Sequence, residues 1–279
     1  MNFQQYLPGL QSWIETLPLL GKTKLLFGVT LLDIFALFGG MHLVGMALIG
    51  GCTILINVRF MGAGVIDATP QSMWKSLRPW VIVGVVLAIF SGLIMGALTA
   101  SKLFQSNAFF AKMMALAAAL IFSFGVTGSI ARHEGKVSRN ALIATVVALL
   151  LWVLSLFVFG STEVTNVGLF HVVTACFAIV LVFGANQTRI IAAATYGVLY
   201  GGTYIMYWIV GFNSFDQIYL DIARYAVILG FLVVAALLFL ELRKNNALAA
   251  SGPARMIALF SILTWVTVAA GGRWIGFSP

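Results

Sequence analysis

The chain has 279 residues and is short of charge: 16 basic and 8 acidic side chains make up 9% of it. Soluble domains carry about 25%. With 61% apolar residues and a mean hydropathy of +1.04, this shortage excludes a soluble globular protein and a disordered one. Two cysteines, Cys52 and Cys176, are too few for a disulfide scaffold, and both fall in apolar stretches, where they read as free thiols packed in a bundle. No nucleotide-binding loop, Cys-x-x-Cys-His haem attachment or zinc motif is present. No polar stretch is long enough to hold a soluble catalytic domain. The net charge of +8 would favour nucleic acid on a soluble protein; here the loops of a membrane protein account for it, and nucleic acid is not an expected partner.

What remains is a set of apolar stretches of about 20 residues, the length an α-helix needs to cross the hydrocarbon core. The alternating pattern of a membrane β-barrel is absent. The expected fold is all-α, a polytopic membrane protein with about eight transmembrane helices over 29–57, 80–100, 109–131, 141–160, 166–187, 190–211, 222–242 and 256–276. The first 20 residues lack the basic start and clean apolar core of a signal peptide. Leu10, Trp13, Leu17 and Pro18 suit an interfacial segment over 1–28. Ten of the sixteen basic residues fall after spans one, three, five and seven: Arg59, Lys75, Arg78, Arg132, Lys136, Arg139, Arg189, Arg243, Lys244 and Arg255. The positive-inside rule then puts both termini on the periplasmic side of a bacterial inner membrane.

The two halves share an order of marks. His42 precedes Arg59 as His171 precedes Arg189, and Lys112 precedes Arg132 as Arg224 precedes Arg243. Trp152 follows Arg139 as Trp265 follows Arg255. Ser91-Gly92 in span two matches Gly201-Gly202 in span six. The pattern predicts two parallel four-helix repeats, 29–160 and 161–279, related by an axis along the membrane normal.

His42 and His171 are the candidate site. A rise of about 1.5 Å per residue puts them about 25 and 27 Å from Arg59 and Arg189, at similar depth in the outer half of the bilayer. Ionisable groups inside a membrane are costly and point to function. Two neutral imidazoles on facing helices are a common way to hold a haem iron, so a bis-histidine haem b is expected. Copper and a purely structural role are the alternatives. Met41 and Met46 flank His42 and would suit Cu(I), yet Met is also an ordinary gap filler. Lys112, Arg224 and Arg273 sit at the outer ends of spans three, seven and eight, where they would meet the haem propionates; headgroup snorkelling is the plainer reading. Arg273 has no counterpart, since Gly160 stands in the equivalent place. Glycines 39, 40, 45, 50 and 51 surround His42 and suit close helix packing. Phe38, Phe170, Phe177, Trp265 and Trp274 are available to line a porphyrin or simply to pack. His133 reads as part of a solvated turn, and Asp33 as a helix cap.

The stretch Met41-His42-Leu43-Val44-Gly45-Met46-Ala47-Leu48-Ile49-Gly50-Gly51 resembles the first helix of bacterial copper-resistance D-type membrane proteins. A related group of uncharacterised multi-spanning bacterial proteins is still more similar. They share Val58-Arg59-Phe60-Met61-Gly62, Arg78-Pro79-Trp80, Ser91-Gly92-Leu93, Asn107-x-x-Phe110-x-Lys112 and Gly272-Arg273-Trp274-Ile275. The resemblance implies an eight-helix inner-membrane protein with haem or copper. A ladder of His, Met and Cys ligands crossing the membrane, which copper transport would need, is missing from the sequence.

The expected function is therefore an integral b-type cytochrome moving electrons between a quinol, or a partner protein, and a periplasmic cytochrome. With no second histidine pair in the cytoplasmic half, it would serve the outer leaflet alone. A copper or small-solute transporter and a structural subunit of a respiratory complex are the competing expectations.

Overall fold

The computed structural model describes residues 34–160, 167–211, 217–243 and 249–275, with Pro8, Gly9 and Ser12. The expected interfacial segment over 1–28 (those three residues apart) and Asp33 lie outside the described residues, as do the side chains of Phe170, His171, Arg224, Arg273 and Trp274 within their helices. Every regular element among the described residues is helical. The main ones are α1 (Ile34–Phe60), α2 (Pro70–Leu98), α3 (Asn107–Arg132), α4 (Arg139–Gly160), α5 (Val167–Phe183), α6 (residues 186–210), α7 (Gln217–Arg243) and α8 (Gly252–Ile275). Six of them, α1 to α4, α7 and α8, are long and apolar enough to cross a membrane. α5 has 17 residues, with its apolar run at Val173–Phe183. α6 is interrupted by a π turn at Gly197–Gly201. The chain is thus an all-helical membrane protein. A helix satisfies its backbone groups internally, which hydrocarbon demands.

The helix starts differ most from expectation at α2, which begins at Pro70 and not at 80. The Thr69 hydroxyl accepts the Ser72 N–H at 3.2 Å, and proline occupies the first helical position, where no N–H is needed. The apolar run does begin near 80, but the polar first turns are helical too, and Pro79 lies inside the helix.

α1 and α2 form the tightest pair. A Cβ on Gly45 would lie 2.8 Å from the Gly84 carbonyl oxygen and 2.8 Å from the Ala88 nitrogen. One on Gly84 would lie 2.8 Å from the Gly45 carbonyl oxygen. The two backbones touch because neither residue has a side chain.

α8 runs through the middle. In its most apolar window 78% of residues are buried, against 22–39% in the other five long helices. It is also the least apolar of the six. The two facts have one cause: its polar side chains meet protein and not lipid. Asn57 of α1 donates to Ser261 at 3.0 Å, the Trp265 indole donates to Ser123 of α3 at 3.1 Å, and the Trp152 indole of α4 donates to Thr267 at 2.9 Å. Ser123 lies in a π turn, Ile121–Thr127, that widens α3 where Trp265 meets it. Around α8, α1 packs on α2 and α8, α3 on α4 and α8, and α5 on α6, α7 and α8. Leu43, Leu93, Phe157 and Ile209 point outward, as lipid contact requires.

At the Arg59 end, three connections are tied together. Ala250 N–H donates to the Phe60 carbonyl at 2.9 Å, and both the N–H and the hydroxyl of Ser251 donate to the Gly135 carbonyl. Gly135 holds φ at +85°, a conformation that favours glycine.

Candidate functional site

The site lies at the opposite end, where α1, α2, α3 and α8 converge. The close Gly45–Gly84 crossing brings His42 of α1 against α2. His42 Nδ1 lies 2.9 Å from the Ala88 carbonyl oxygen and 3.2 Å from Ser91 Oγ. A carbonyl oxygen only accepts, so Nδ1 is the protonated nitrogen. In the neutral ring Nε2 then carries the lone pair, and it makes no hydrogen bond with any described residue. The Ser91 hydroxyl itself donates to the Leu87 carbonyl at 2.6 Å. Gly92 leaves the ring edge uncrowded: a Cβ there would meet His42 Cε1 at 3.3 Å.

Lys112 is the second polar group. It stands two turns into α3, after the start set by Ser106, whose hydroxyl accepts the Phe109 N–H at 3.4 Å. α1 and α3 both pack along α8. Ala115 of α3 shares a small core with Ala88 of α2 and Val268 of α8, so Lys112 stands at the same end of the bundle as His42. Its amino group lies over Gly272, where a Cβ would come within 3.3 Å of Nζ. It is partly buried, and its ammonium makes neither a hydrogen bond nor an ion pair with any described residue.

Of the five expected site residues, the structure therefore puts His42 and Lys112 at one end of the bundle, with Gly272, the neighbour of Arg273, against the Lys112 side chain. His171 lies on α5 and Arg224 on α7, with side chains outside the described residues. Ser91, the Ala88 carbonyl and Gly272 were not expected to act here. Ser91-Gly92 is visible in the sequence as a mark of the repeat and of the resemblance, not as a partner of His42, and a backbone carbonyl leaves no trace in composition.

The other candidates fall into ordinary roles. Phe38 packs edge-on against Phe90 with centroids 5.9 Å apart, and Phe177 against Tyr196 and Tyr200. Cys52 and Cys176 are free and buried. His133 sits in the α3–α4 turn, its Nδ1 donating to the Ser129 carbonyl at 2.7 Å. Among the described residues no group of three His, Cys, Asp or Glu side chains is placed to hold a metal. Glu241, near the end of α7, accepts from Ala185 N–H at 3.2 Å and from the Thr188 hydroxyl, fastening the α5–α6 turn to α7. At the Arg59 end a cleft of about 400 Å³ opens between Arg59, Asp67, Thr69, Glu134 and Ala250.

A family model for DUF6644, a family of unknown function, matches residues 11–167. The match takes in more than half of the chain, which belongs to this family. It spans α1 to α4, with His42, Ser91 and Lys112, and ends before His171. No curated protein and no solved structure matches the chain.

Proposed function

We propose that this protein is an integral membrane b-type cytochrome, with one haem between His42 and His171 in the outer half of the bilayer. The observation that carries the reading is the His42 hydrogen bond to the Ala88 carbonyl. Metal-bound histidines commonly donate their second ring nitrogen to a carbonyl, which sets the tautomer and the ring plane. His42 is held in that way before any ligand arrives, with Nε2 left as the donor atom. Gly92 supports it by keeping the ring edge clear, and Lys112 supports it as a cation at the same end of the bundle.

When bound, a haem iron supplies a reversible one-electron change. The chain supplies the rest. His42 and His171 would hold the iron, and Lys112, Arg224 and Arg273 would be the cations for its propionates. The apolar helices exclude water. The electron donor in this reading is a quinol or a partner protein, and the acceptor a periplasmic cytochrome.

The finer architecture belongs to the same proposal: eight spans in two parallel four-helix units, 29–160 and 161–279, with both termini periplasmic and the chain in a bacterial inner membrane. The likeness to copper-resistance D-type proteins points the same way. His42→Ala and His171→Ala tests the reading. Each variant is expected to lose the low-spin haem spectrum, while His133→Ala keeps it. An unchanged spectrum in both would overturn the assignment.

A further inference from the structure

Three connections wall the cleft of about 400 Å³ at the Arg59 end: the α1–α2 loop with Asp67 and Thr69, the α3–α4 turn with Glu134 and Gly135, and the residues before α8 with Ala250. Direct bonds fix this frame. Ala250 N–H donates to the Phe60 carbonyl, Ser251 donates to the Gly135 carbonyl, and a Cβ on Gly135 would come within 2.8 Å of Ala250. The Arg59 Nε–H donates to the Ala68 carbonyl at 2.8 Å, which holds the guanidinium against the loop that lines the cleft. Glu134 is the one non-glycine among the described residues with a positive φ, +49°. That conformation is costly for a residue with a Cβ and persists only where its surroundings fix it.

The charges of the lining are out of step with their face. The connections at this end are rich in Lys and Arg, and Asp67 and Glu134 are the only acids in the α1–α2 and α3–α4 connections. Both line the cleft, and neither carboxylate makes a hydrogen bond or ion pair with any described residue. Beside them stand the Arg59 guanidinium and, at Thr69 and Pro70, the start of the 29-residue helix α2, the positive end of its dipole. A ligand of one sign would be attracted by part of this lining and repelled by the rest. A ligand that carries both signs suits all of it.

We propose that this cleft binds a small zwitterion, whose primary ammonium donates to Asp67 and Glu134 and whose oxyanion, a few bonds away, meets Arg59 and the start of α2. Phosphoethanolamine has this layout, and the volume is that of a small-molecule cleft. The cleft lies where α1 and α3 end and α2, α4 and α8 begin, which is headgroup level for a spanning bundle. The same chemistry is therefore on offer from two sources, the headgroup of phosphatidylethanolamine and a free phosphoethanolamine ester. The site is at the opposite end of the bundle from His42 and takes no part in holding a haem.

The test uses the full chain, purified and placed in phosphatidylcholine nanodiscs. Affinities for phosphatidylethanolamine and phosphatidylglycerol are read by native mass spectrometry, and that for soluble glycerophosphoethanolamine by calorimetry. The variants are Asp67→Asn, Glu134→Gln and the two combined; both side chains are exposed, so the fold is expected to survive. An exposed ion pair is worth a few-fold in affinity, and the two together roughly tenfold. The wild type is expected to hold phosphatidylethanolamine more tightly than phosphatidylglycerol. The double variant is expected to lose roughly tenfold for the ethanolamine ligand and nothing for phosphatidylglycerol. Loss for glycerophosphoethanolamine assigns a free ester as sufficient, and loss for the lipid alone assigns the membrane headgroup; either supports the site. A wild type that holds phosphatidylethanolamine no more tightly than phosphatidylglycerol and takes no glycerophosphoethanolamine would overturn it. So would a double variant with wild-type affinity for both ethanolamine ligands. Should the double variant fail to fold, the two single variants decide on the same terms, each with a few-fold loss expected.

Discussion

Gly45→Ala is the substitution that separates a packing requirement from a merely tolerated glycine. Its new Cβ would lie 2.8 Å from two backbone atoms of α2, the Gly84 oxygen and the Ala88 nitrogen, and 3.2 Å from the Ala88 Cα. Backbone cannot rotate away as a side chain can. Ordinary contact therefore requires the two helices to part by roughly 0.6–0.9 Å, and overpacking of this kind costs about 1–3 kcal/mol. The same displacement would carry the His42–Ala88 hydrogen bond from 2.9 Å to the limit of a hydrogen bond or past it. An orphaned, partly buried donor adds up to about 1–3 kcal/mol, for a total of roughly 2–6 kcal/mol. Gly40, Gly50 and Gly51 lie on the same helix with nothing within 4 Å of a built Cβ. Alanine at those positions is expected to be neutral or to stabilise by up to about 1 kcal/mol, the helix-propensity gain over glycine. Thermal unfolding of the four variants in detergent measures the contrast. Gly45→Ala melting with Gly50→Ala would refute the close crossing and with it the account of how His42 is oriented.

Two further outcomes are expected. A double-mutant cycle of Asn57→Ala and Ser261→Ala should return a coupling of about 0.6 kcal/mol, and no more than about 1.7, the range for interhelical hydrogen bonds in membranes; zero coupling would remove that bond from the account of why α8 is central. Reporter fusions at the two termini should both report a periplasmic location, and a cytoplasmic reading at either would undo the parallel four-plus-four arrangement.

The helical class and the positions of the helices were legible because length and hydropathy decide them. The order of burial was not. Hydropathy ranks α4 above α8, yet α8 is the buried one, because a helix surrounded by protein can carry Ser261, Thr264 and Thr267 where a lipid-facing helix cannot. α4 and α8 hold equivalent places in a four-plus-four reading, and they differ in burial, 28% against 78%. The helix of α2 starts ten residues before its apolar span because Thr69 before Pro70 sets the start among polar residues that the apolar run does not reach. His42 and Lys112 were visible as ionisable groups out of place in apolar stretches. Their surroundings were not: the Ala88 carbonyl, Ser91 and the bare Gly272 surface under Lys112 come from helix pairs far apart in sequence, and only the Gly45–Gly84 crossing and the position of α8 bring them there.

The central claim, a haem on His42, is tested most directly by the reduced-minus-oxidised absorption spectrum of the purified chain, expressed where haem is available. The account predicts the sharp α and β bands of a low-spin b-type haem at a stoichiometry of one per chain, lost on His42→Ala. A purified, folded wild-type chain that shows no haem bands after haemin is supplied would contradict it.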